Sequence, residues 1–319
     1  MGYAALDANT TASYNTALGH FALSSLVGGG ATLNTAIGSD AMANTTTGAN
    51  NVALGSSALA ANTTASNNTA VGYQAGYANT TGVFNTFVGN VAGNSNTTAQ
   101  RNTFIGHYAG EGNTTGGYGT FVGQNSGYLM TTGSKNTILG SFSGNQGGVD
   151  IRTSSNNIVL SDGDGNPRVV VDSSGAVTMP TQPAFLVKPN TEQSNIALAS
   201  NVTVLFQTEI FDQNADFANN TFTAPVAGKY QLNFSLYLKD INDAYQYIYA
   251  RIQTSNRNYE VEIYPSTIFN SDGRITVGAG FLADMDASDT AFVTVQVPNT
   301  GSAQMDIVVY SSFSGYLVA

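Results

Sequence analysis

The chain contains no cysteine and no tryptophan, and only 9% of its 319 residues are charged. The absence of cysteine excludes a disulfide scaffold and a cysteine zinc site. No apolar run approaches the roughly 18 residues that a membrane-spanning helix needs, so we expect no membrane insertion. Basic residues are few and form no stripe, and the net charge of −10 disfavours nucleic acid as a partner. A hydrophobic content of 42% nevertheless favours a folded chain over a disordered one.

Glycine is abundant, and many of the glycines belong to a repeat. The motif Asn-Thr-x-aliphatic-Gly recurs, for instance as Asn68–Gly72 and Asn102–Gly106. Its glycine returns every 17 residues, except for one interval of 19 that coincides with three consecutive glycines at 28–30. Such a period is too short for helical repeats of about 33 residues. It fits one coil of a parallel β-solenoid, with two short strands and two turns. The sequence therefore predicts a solenoid stalk over residues 1–144.

Comparison of the repeats with one another predicts the core of the solenoid. The aliphatic position never changes in character, so we expect it to be buried; it comprises Leu18, Ile37, Leu54, Val71, Val88, Ile105, Val122 and Leu139. The preceding residue is alanine in early repeats and becomes Phe87, Phe104 and Phe121 in later ones. Five residues after the aliphatic position, large side chains in early repeats give way to glycine in later ones. These two positions should share one packed space, because cores tend to conserve total volume.

The repeat resembles the head repeats of YadA-type trimeric adhesins and similar coils in phage tail-fibre proteins. The match covers residues 2–144 and is clearest in the motif Asn68–Gly76. The coil is longer here than in the adhesins. What the resemblance implies is a trimeric β-roll.

Residues 145–180 lose the period and predict a short β connector. Residues 162–167 form a cluster of turn-favouring residues, followed by a strand at 168–172, a second turn and a short strand at 176–179. The string Asp-x-Asp-Gly in this cluster also occurs in EF-hand calcium loops. An EF-hand needs a glutamate at its twelfth position and flanking helices. Neither is present, so we interpret the cluster as a turn.

Residues 181–319 alternate short strands with turn signals, which is typical of a sandwich or jelly roll. The segments 222–234 and 313–317 resemble the globular head of the first complement component and of tumour necrosis factor. That resemblance implies a trimeric jelly-roll head of ten strands. The fold class expected for the whole chain is therefore all-β: a trimeric parallel β-solenoid stalk, a β connector and a jelly-roll sandwich head.

Tyrosines alternate along one predicted strand of the head, at Tyr245, Tyr247 and Tyr249, so they share one strand face. They could stack on a sugar. The family that the head resembles packs aromatic side chains around its three-fold axis, and we favour that role in the trimer interface. Arg251, Arg257 and Tyr259, near the following turn, are the ligand-binding candidates.

Acidic residues cluster before a later strand of the head, at Asp284, Asp286 and Asp289. Heads of the family can bind calcium near their apex, which is one interpretation of this cluster. A solvated turn is the interpretation that we favour. We therefore predict no cofactor, with calcium as the alternative.

Catalytic constellations are not apparent. His20 and His107 occupy the same repeat position, and the head contains no histidine, which excludes a Ser-His-Asp triad there. Glycoside cleavage needs two carboxylates close to one sugar bond. The solenoid offers Asp7, Asp40 and Glu111, which fall in different coils. We predict that the protein is not an enzyme.

These features lead to three hypotheses about function, of which the first two are the main ones. The first is a homotrimeric phage tail fibre, part of the virion, whose tip binds a host-surface glycan or protein and whose upstream end joins a tail or baseplate protein. The second is a bacterial trimeric surface adhesin or extracellular matrix protein. The third is a depolymerising tailspike. Because Gly2 begins in the middle of a repeat, we also expect the natural protein to continue upstream of Met1.

Overall fold

The computed structural model describes residues 2–28, 30–196, 199–241, 246–264, 273–297 and 305–319. The chain divides into two compact units, Met1–Pro180 and Thr181–Ala319. Strands and turns account for the regular structure of the described residues, which contain no helix. Accordingly, within these ranges no helix has the length and hydropathy required to span a membrane. The all-β prediction is confirmed.

The first unit is a solenoid in which each coil contributes one three-residue strand. Each strand pairs in parallel and in register with the strand of the next coil. The strands are β1 (Thr16–Leu18), β2 (Thr35–Ile37), β3 (Val52–Leu54), β4 (Thr69–Val71), β5 (Thr86–Val88), β6 (Thr103–Ile105), β7 (Thr120–Val122) and β8 (Thr137–Leu139). The 17-residue period predicted from the sequence is thus the length of one coil.

The expectation of two strands per coil is wrong. The backbone after the motif glycine alternates into the left-handed region, at Ser57 (φ 56°) and Leu59 (φ 50°), for example. Such alternation is incompatible with an extended strand. Neighbouring coils are nevertheless hydrogen-bonded there, since the Leu59 N–H donates to the carbonyl of Ala75 at 3.0 Å. A stack of turns therefore replaces the second sheet.

The core of the solenoid contains the middle residue of each strand. Side chains alternate along a strand, so the first and third residues face outward. Phe87, Phe104 and Phe121 are fully buried or nearly so. The alanines at the same position in earlier coils, Ala36, Ala53 and Ala70, are also fully buried, and Ala17 is partly buried. The prediction that the aliphatic position is core is wrong for the single chain. None of its members is buried: four are exposed (Leu18, Leu54, Ile105 and Leu139) and four are half-buried (Ile37, Val71, Val88 and Val122).

The two positions expected to share space do share it. The ring of Phe104 stacks on that of Phe121 with centroids 4.6 Å apart. A Cβ atom added to Gly110 would lie 2.4 Å from the Phe104 ring, so glycine is required beside phenylalanine. One repeat departs from this pairing, because its strand position holds a small residue, Ala70, although the paired position is also glycine, Gly76. Phe87 of the next coil fills that space, since a Cβ at Gly76 would lie 2.6 Å from its ring.

Asparagine ladders run along the stack. The Asn68 side chain accepts a hydrogen bond from the Asn85 backbone N–H at 2.9 Å and donates to the Gly82 carbonyl at 2.9 Å. The same pattern recurs from Asn34 to Asn102 in the buried ladder. A second ladder, formed by the asparagines of the Asn-Thr-Thr segments, is also buried and comprises Asn62, Asn79, Asn96 and Asn113. Burial makes these asparagines turn-stabilising residues rather than glycosylation acceptors.

The sheet of the solenoid continues into the connector. The connector strands are β9 (Asn145–Gln146), β10 (Val149–Asp150), β11 (Ile158–Ser161), β12 (Pro167–Val171) and β13 (Val177–Thr178). Strand β11 pairs in parallel with β8, and β12 and β13 follow it antiparallel. Between β11 and β12, the Asp162 carboxylate accepts hydrogen bonds from the N–H groups of Asp164 and Asn166. This is the turn expected from the sequence, and it holds no EF-hand helices.

The second unit is an antiparallel jelly roll. Its described strands are β14 (Ala184–Lys188), β15 (Gln193–Ile196), β16 (Asn201–Thr203), β17 (Thr208–Asp212), β18 (Phe217–Ala218), β19 (Thr221–Thr223), β20 (Gly228–Lys239), β21 (Ile248–Thr254), β22 (Asn258–Ile263), β23 (Ile275–Met285), β24 (Thr290–Gln296), β25 (Met305–Ile307) and β26 (Ser312–Leu317). One sheet has the order β15-β25-β20-β26-β14-β17 with β23 also on β20; the other has the order β18-β19-β24-β21-β22 with β16 on β24.

Aromatic side chains from both sheets form the core of the head. The ring of Phe185 in β14 lies 4.8 Å from that of Phe222 in β19 and 5.0 Å from that of Phe313 in β26. Tyr230 is fully buried, and its hydroxyl donates to the Val226 carbonyl at 2.8 Å. The two sheets therefore enclose one hydrophobic core, as a sandwich requires.

Candidate functional site

The outward face of strand β21 brings together two of the tyrosines that the sequence singled out, Tyr247 and Tyr249, and the arginine Arg251. Ile248, Ala250 and Ile252 are fully buried, so the alternating residues Tyr249 and Arg251 point away from the core. Their neighbours on this face come from strands β16, β22 and β24. We call the surface formed by Asn201, Tyr247, Tyr249, Arg251, Glu260, Glu262 and Gln296 the β21 face.

Arg251 organises the β21 face. Its guanidinium pairs with the Glu260 carboxylate and donates to the side-chain oxygens of Asn201 and Gln296, both at 2.7 Å. It also lies 4.5 Å from the centre of the Tyr249 ring, a cation–π arrangement. The side chain is only 12% exposed. Arg251 therefore ties four strands together, and its Nε and Nη1 donors are already hydrogen-bonded within the chain.

Two tyrosines present rings beside this arginine. Tyr247 and Tyr249 meet edge to face with centroids 5.1 Å apart, and both are half-buried. Desolvation, reinforced by the charge of Glu262, raises the pKa of Tyr249. A hydrogen bond to Glu262 likewise raises the pKa of Tyr264. The phenols of Tyr249 and Tyr264 thus stay neutral near pH 7, and each ring offers an apolar face with a polar tip. Tyr245 lies outside the described residues.

The three ligand candidates of the sequence do not form one site. Tyr259 pairs with the buried Ile252 across the strands and packs on the core, with its ring 5.4 Å from that of Phe281. Arg251 is on the opposite face of the sheet. Arg257 is exposed in the turn between β21 and β22. The grouping of Arg251, Arg257 and Tyr259 is therefore wrong. Tyr259 lies beside Ile252, and successive side chains along a strand point to opposite faces of the sheet, so Arg251 and Tyr259 face opposite ways.

The acidic cluster of the head forms a turn. The Asp289 carboxylate accepts hydrogen bonds from the Asp286 backbone N–H at 2.8 Å and from the Asn256 side chain at 2.6 Å. Asp284 lies in β23, outside this turn. Across the described residues, no three histidine, aspartate or glutamate side chains come close enough together to hold a metal ion.

A further surface, which the analysis of the repeats did not indicate, lies at the end of the solenoid. A groove of about 560 Å³ opens there, between the outer side of the last coils and the Asp162–Asn166 turn. Its lining includes Tyr108 and Tyr128. No repeat-based signal could reveal it, because one of its walls comes from a segment outside the repeat.

Comparison with known proteins relates the second unit to a family. Residues 184–318 match the model of the C1q domain, a binding domain and not an enzyme family. The globular domain of zebrafish complement 1qA is similar in structure, with 22% identity over 43% of this chain and 98% of that chain, at a TM-score of 0.33. Murine APRIL is similar over 43% of this chain and 100% of its own, with 10% identity and a TM-score of 0.33. No curated protein matches the chain.

Proposed function

We propose that this protein is a homotrimeric phage tail fibre, in which the solenoid is the stalk and the C1q-like head binds a glycan or protein on the host surface. In this proposal the protein is part of the virion, and its upstream end joins a tail or baseplate protein. It needs no cofactor and performs no catalysis. Support comes from the surface of the solenoid and from the domain type of the head.

The observation that carries the proposal is the aliphatic ladder on the outer face of the parallel sheet. Leu18, Leu54, Ile105 and Leu139 are 39–51% exposed, and the half-buried members of the ladder lie between them in the stack. The first position of each strand, which runs beside the ladder, is threonine in every coil except one, where it is Val52, and neither position carries a charge. A continuous exposed apolar strip marks an interaction site. Identical repeats along the whole stalk suit a partner with the same repeat, which is another copy of this chain.

The head offers independent support. C1q domains form trimers. The half-buried Tyr247 and Tyr249 give the β21 face the aromatic content that is enriched in protein interfaces. We assign these two tyrosines, with Tyr245 as an expectation only, to the contact between heads. The exposed Arg257 remains the ligand candidate of the head, since Arg251 is largely buried and its Nε and Nη1 groups already have partners within the chain.

A bacterial surface adhesin or matrix protein is the alternative, because trimeric β-rolls also occur in the YadA-type adhesins. The two hypotheses differ in the genes that should accompany this one. Phage tail genes beside it would support the fibre, whereas secretion genes would support the adhesin. A depolymerising tailspike predicts loss of host capsule on incubation with the pure protein, and we expect no such loss.

Sedimentation tests the trimer. The native protein should sediment with three times the mass of the 33.1 kDa chain. The substitution Ile105→Lys places a charge in the aliphatic ladder and should shift the equilibrium towards monomer or weaken the stalk contact. Tyr73→Lys is the matched control, because Tyr73 is also exposed on the solenoid but lies outside the ladder. A native protein that stays monomeric would overturn the proposal.

A further inference from the structure

The groove at the end of the solenoid is a second candidate site, and all of its lining residues belong to the first unit. One side is formed by the outer surface of the coils that carry Tyr108, Gln124 and Tyr128. The facing side includes Gln146 and Asp164. Its volume of about 560 Å³ falls in the range of roughly 300–1,000 Å³ that is usual for small-molecule sites.

Aromatic rings provide the apolar part of the groove. Tyr108 and Tyr128 meet edge to face with centroids 5.8 Å apart, and the His107 ring lies 4.0 Å from Tyr108. Tyr128 is 38% exposed, so part of its ring is open to a ligand. Tyrosine combines a flat apolar surface with a hydroxyl, and this combination suits a ligand with both C–H and O–H groups.

Amide and hydroxyl groups provide the polar part. Gln124 is exposed and Asn125 half-buried, and Ser141 and Ser143 lie beside them. Within the described part of the chain, the side chains of Gln124 and Asn125 make no hydrogen bond. Together they can offer both donors and acceptors. A ligand with several hydroxyl groups could satisfy them.

The facing wall is held in place before any ligand arrives. The Gln146 side chain donates to the Asp164 carbonyl at 2.9 Å. The Asp162 carboxylate accepts the N–H groups of Asp164 and Asn166 and pairs with Arg168. A preorganised wall reduces the entropy lost on binding.

The charge of the lining narrows the class of ligand. Its residues include one carboxylate, Asp164, and no lysine or arginine, so an anionic ligand would find no counter-charge. A lipid would require a predominantly apolar lining, which the amides and serines do not provide. Aromatic rings beside amide and carboxylate oxygens are suited to the C–H faces and hydroxyl pairs of a sugar ring.

We propose that this groove binds a neutral oligosaccharide, which gives the stalk a glycan site separate from the head. The Tyr128 ring would contact the sugar face, and Gln124, Asn125 and Asp164 would bind its hydroxyls. The proposal goes beyond the function proposed above, because it requires neither a particular host nor a ligand on the head.

The repeat supplies a matched control for the test. Tyr77 occupies the repeat position of Tyr128 three coils earlier and is 41% exposed, against 38% for Tyr128. It has no facing wall, since it lies outside the groove. Tyr128→Ala and Tyr77→Ala therefore remove the same side chain from the same kind of coil position. Gln124→Ala is the second groove variant, because Asn125 has a left-handed backbone (φ 57°) and its replacement would add strain.

The full chain is applied to an array of defined neutral and sialylated oligosaccharides, and the best neutral probe is then titrated and followed by saturation-transfer NMR. We expect Tyr128→Ala to weaken binding at least tenfold, Gln124→Ala to weaken it several-fold and Tyr77→Ala to leave it unchanged. Equal melting temperatures of the variants would show that the fold is intact.

Three results would overturn the proposal: no neutral probe bound by the native chain, equal losses in Tyr128→Ala and Tyr77→Ala, or retained binding in both groove variants. If binding is lost in Arg257→Ala and kept in the groove variants, the glycan site belongs to the head. That result would contradict the groove and support the function proposed above.

Discussion

Single residues in the solenoid are constrained by the residue in the same packed space. Phe104 and Gly110 in one coil take the place of Ala53 and Leu59 in another. Both combinations fill the space inside the coil. Phenylalanine and leucine together would clash, since a Cβ atom at Gly110 already comes within 2.4 Å of the Phe104 ring. The backbone tolerates either choice, because Leu59 and Gly110 are both left-handed (φ 50° and 59°).

This coupling predicts a double-mutant result. Phe104→Ala should cost about 3–5 kcal/mol of unfolding free energy because it leaves a cavity. Adding Gly110→Leu should restore part of that loss, with a coupling of about 0.5–3 kcal/mol. Gly110→Leu alone should be strongly destabilising, because the leucine would overlap the Phe104 ring. Urea denaturation measures all four proteins. Additive effects would contradict the shared space.

Asp162 predicts a pH dependence at the turn that borders the groove. The N–H of Asn166, aided by the side chains of Arg168 and Asn166, lowers the pKa of Asp162 from 3.8 to about 2. Because the folded value is the lower one, the stabilisation is present above pH 4 and is lost as the pH falls through 2. Carboxyl NMR titration should give a midpoint near 2. A midpoint near 3.8 would show that these hydrogen bonds are absent, and Asp162→Asn should remove the dependence.

At the scale of the element, the coil is held by ladders rather than by a second sheet. Each three-residue strand supplies few backbone hydrogen bonds. Each buried asparagine of the first ladder adds one accepted and one donated bond, which satisfies a backbone N–H of the next coil and a turn carbonyl. Burial of such groups without partners is costly, which explains why asparagine precedes nearly every strand.

The ladder predicts a large effect from one amide. Asn68→Ala would leave the Asn85 N–H buried without a partner, at a cost of about 1–3 kcal/mol. It would also remove one of the two hydrogen bonds that the Gly82 carbonyl accepts, because the other comes from Asn79. Thermal unfolding followed by circular dichroism should therefore show a clearly lowered midpoint. Asn90→Ala serves as the control, because Asn90 is exposed and should change stability by less than about 0.5 kcal/mol. Equal midpoints for the two variants would contradict this role.

At the scale of the whole molecule, the two units have separate cores. The buried cluster of the first unit runs from Ala22 to Val170, and that of the second from Phe185 to Phe313. No residue belongs to both clusters within the described ranges. Each unit therefore contains its own source of hydrophobic stabilisation.

Separate cores predict separate folding. A protein consisting of residues 181–319 should give a dispersed amide NMR spectrum and one cooperative thermal transition. The full chain should show that same transition besides another for the solenoid. An unfolded 181–319 fragment would mean that the head requires the rest of the chain, and the division into two units would then not hold energetically.

The sequence alone determined the all-β class, the 17-residue coil and the coupling of phenylalanine with glycine, because repetition exposes which positions vary together. It did not determine which side of a three-residue strand faces the core. Because both positions are apolar, either the alanine–phenylalanine position or the aliphatic position could have faced inward. Only the closed coil showed that the alanine–phenylalanine side chains occupy the space inside. The groove and the separation of Arg251 from Tyr259 likewise depend on tertiary structure, because they follow from how distant segments and opposite sheet faces are placed in space.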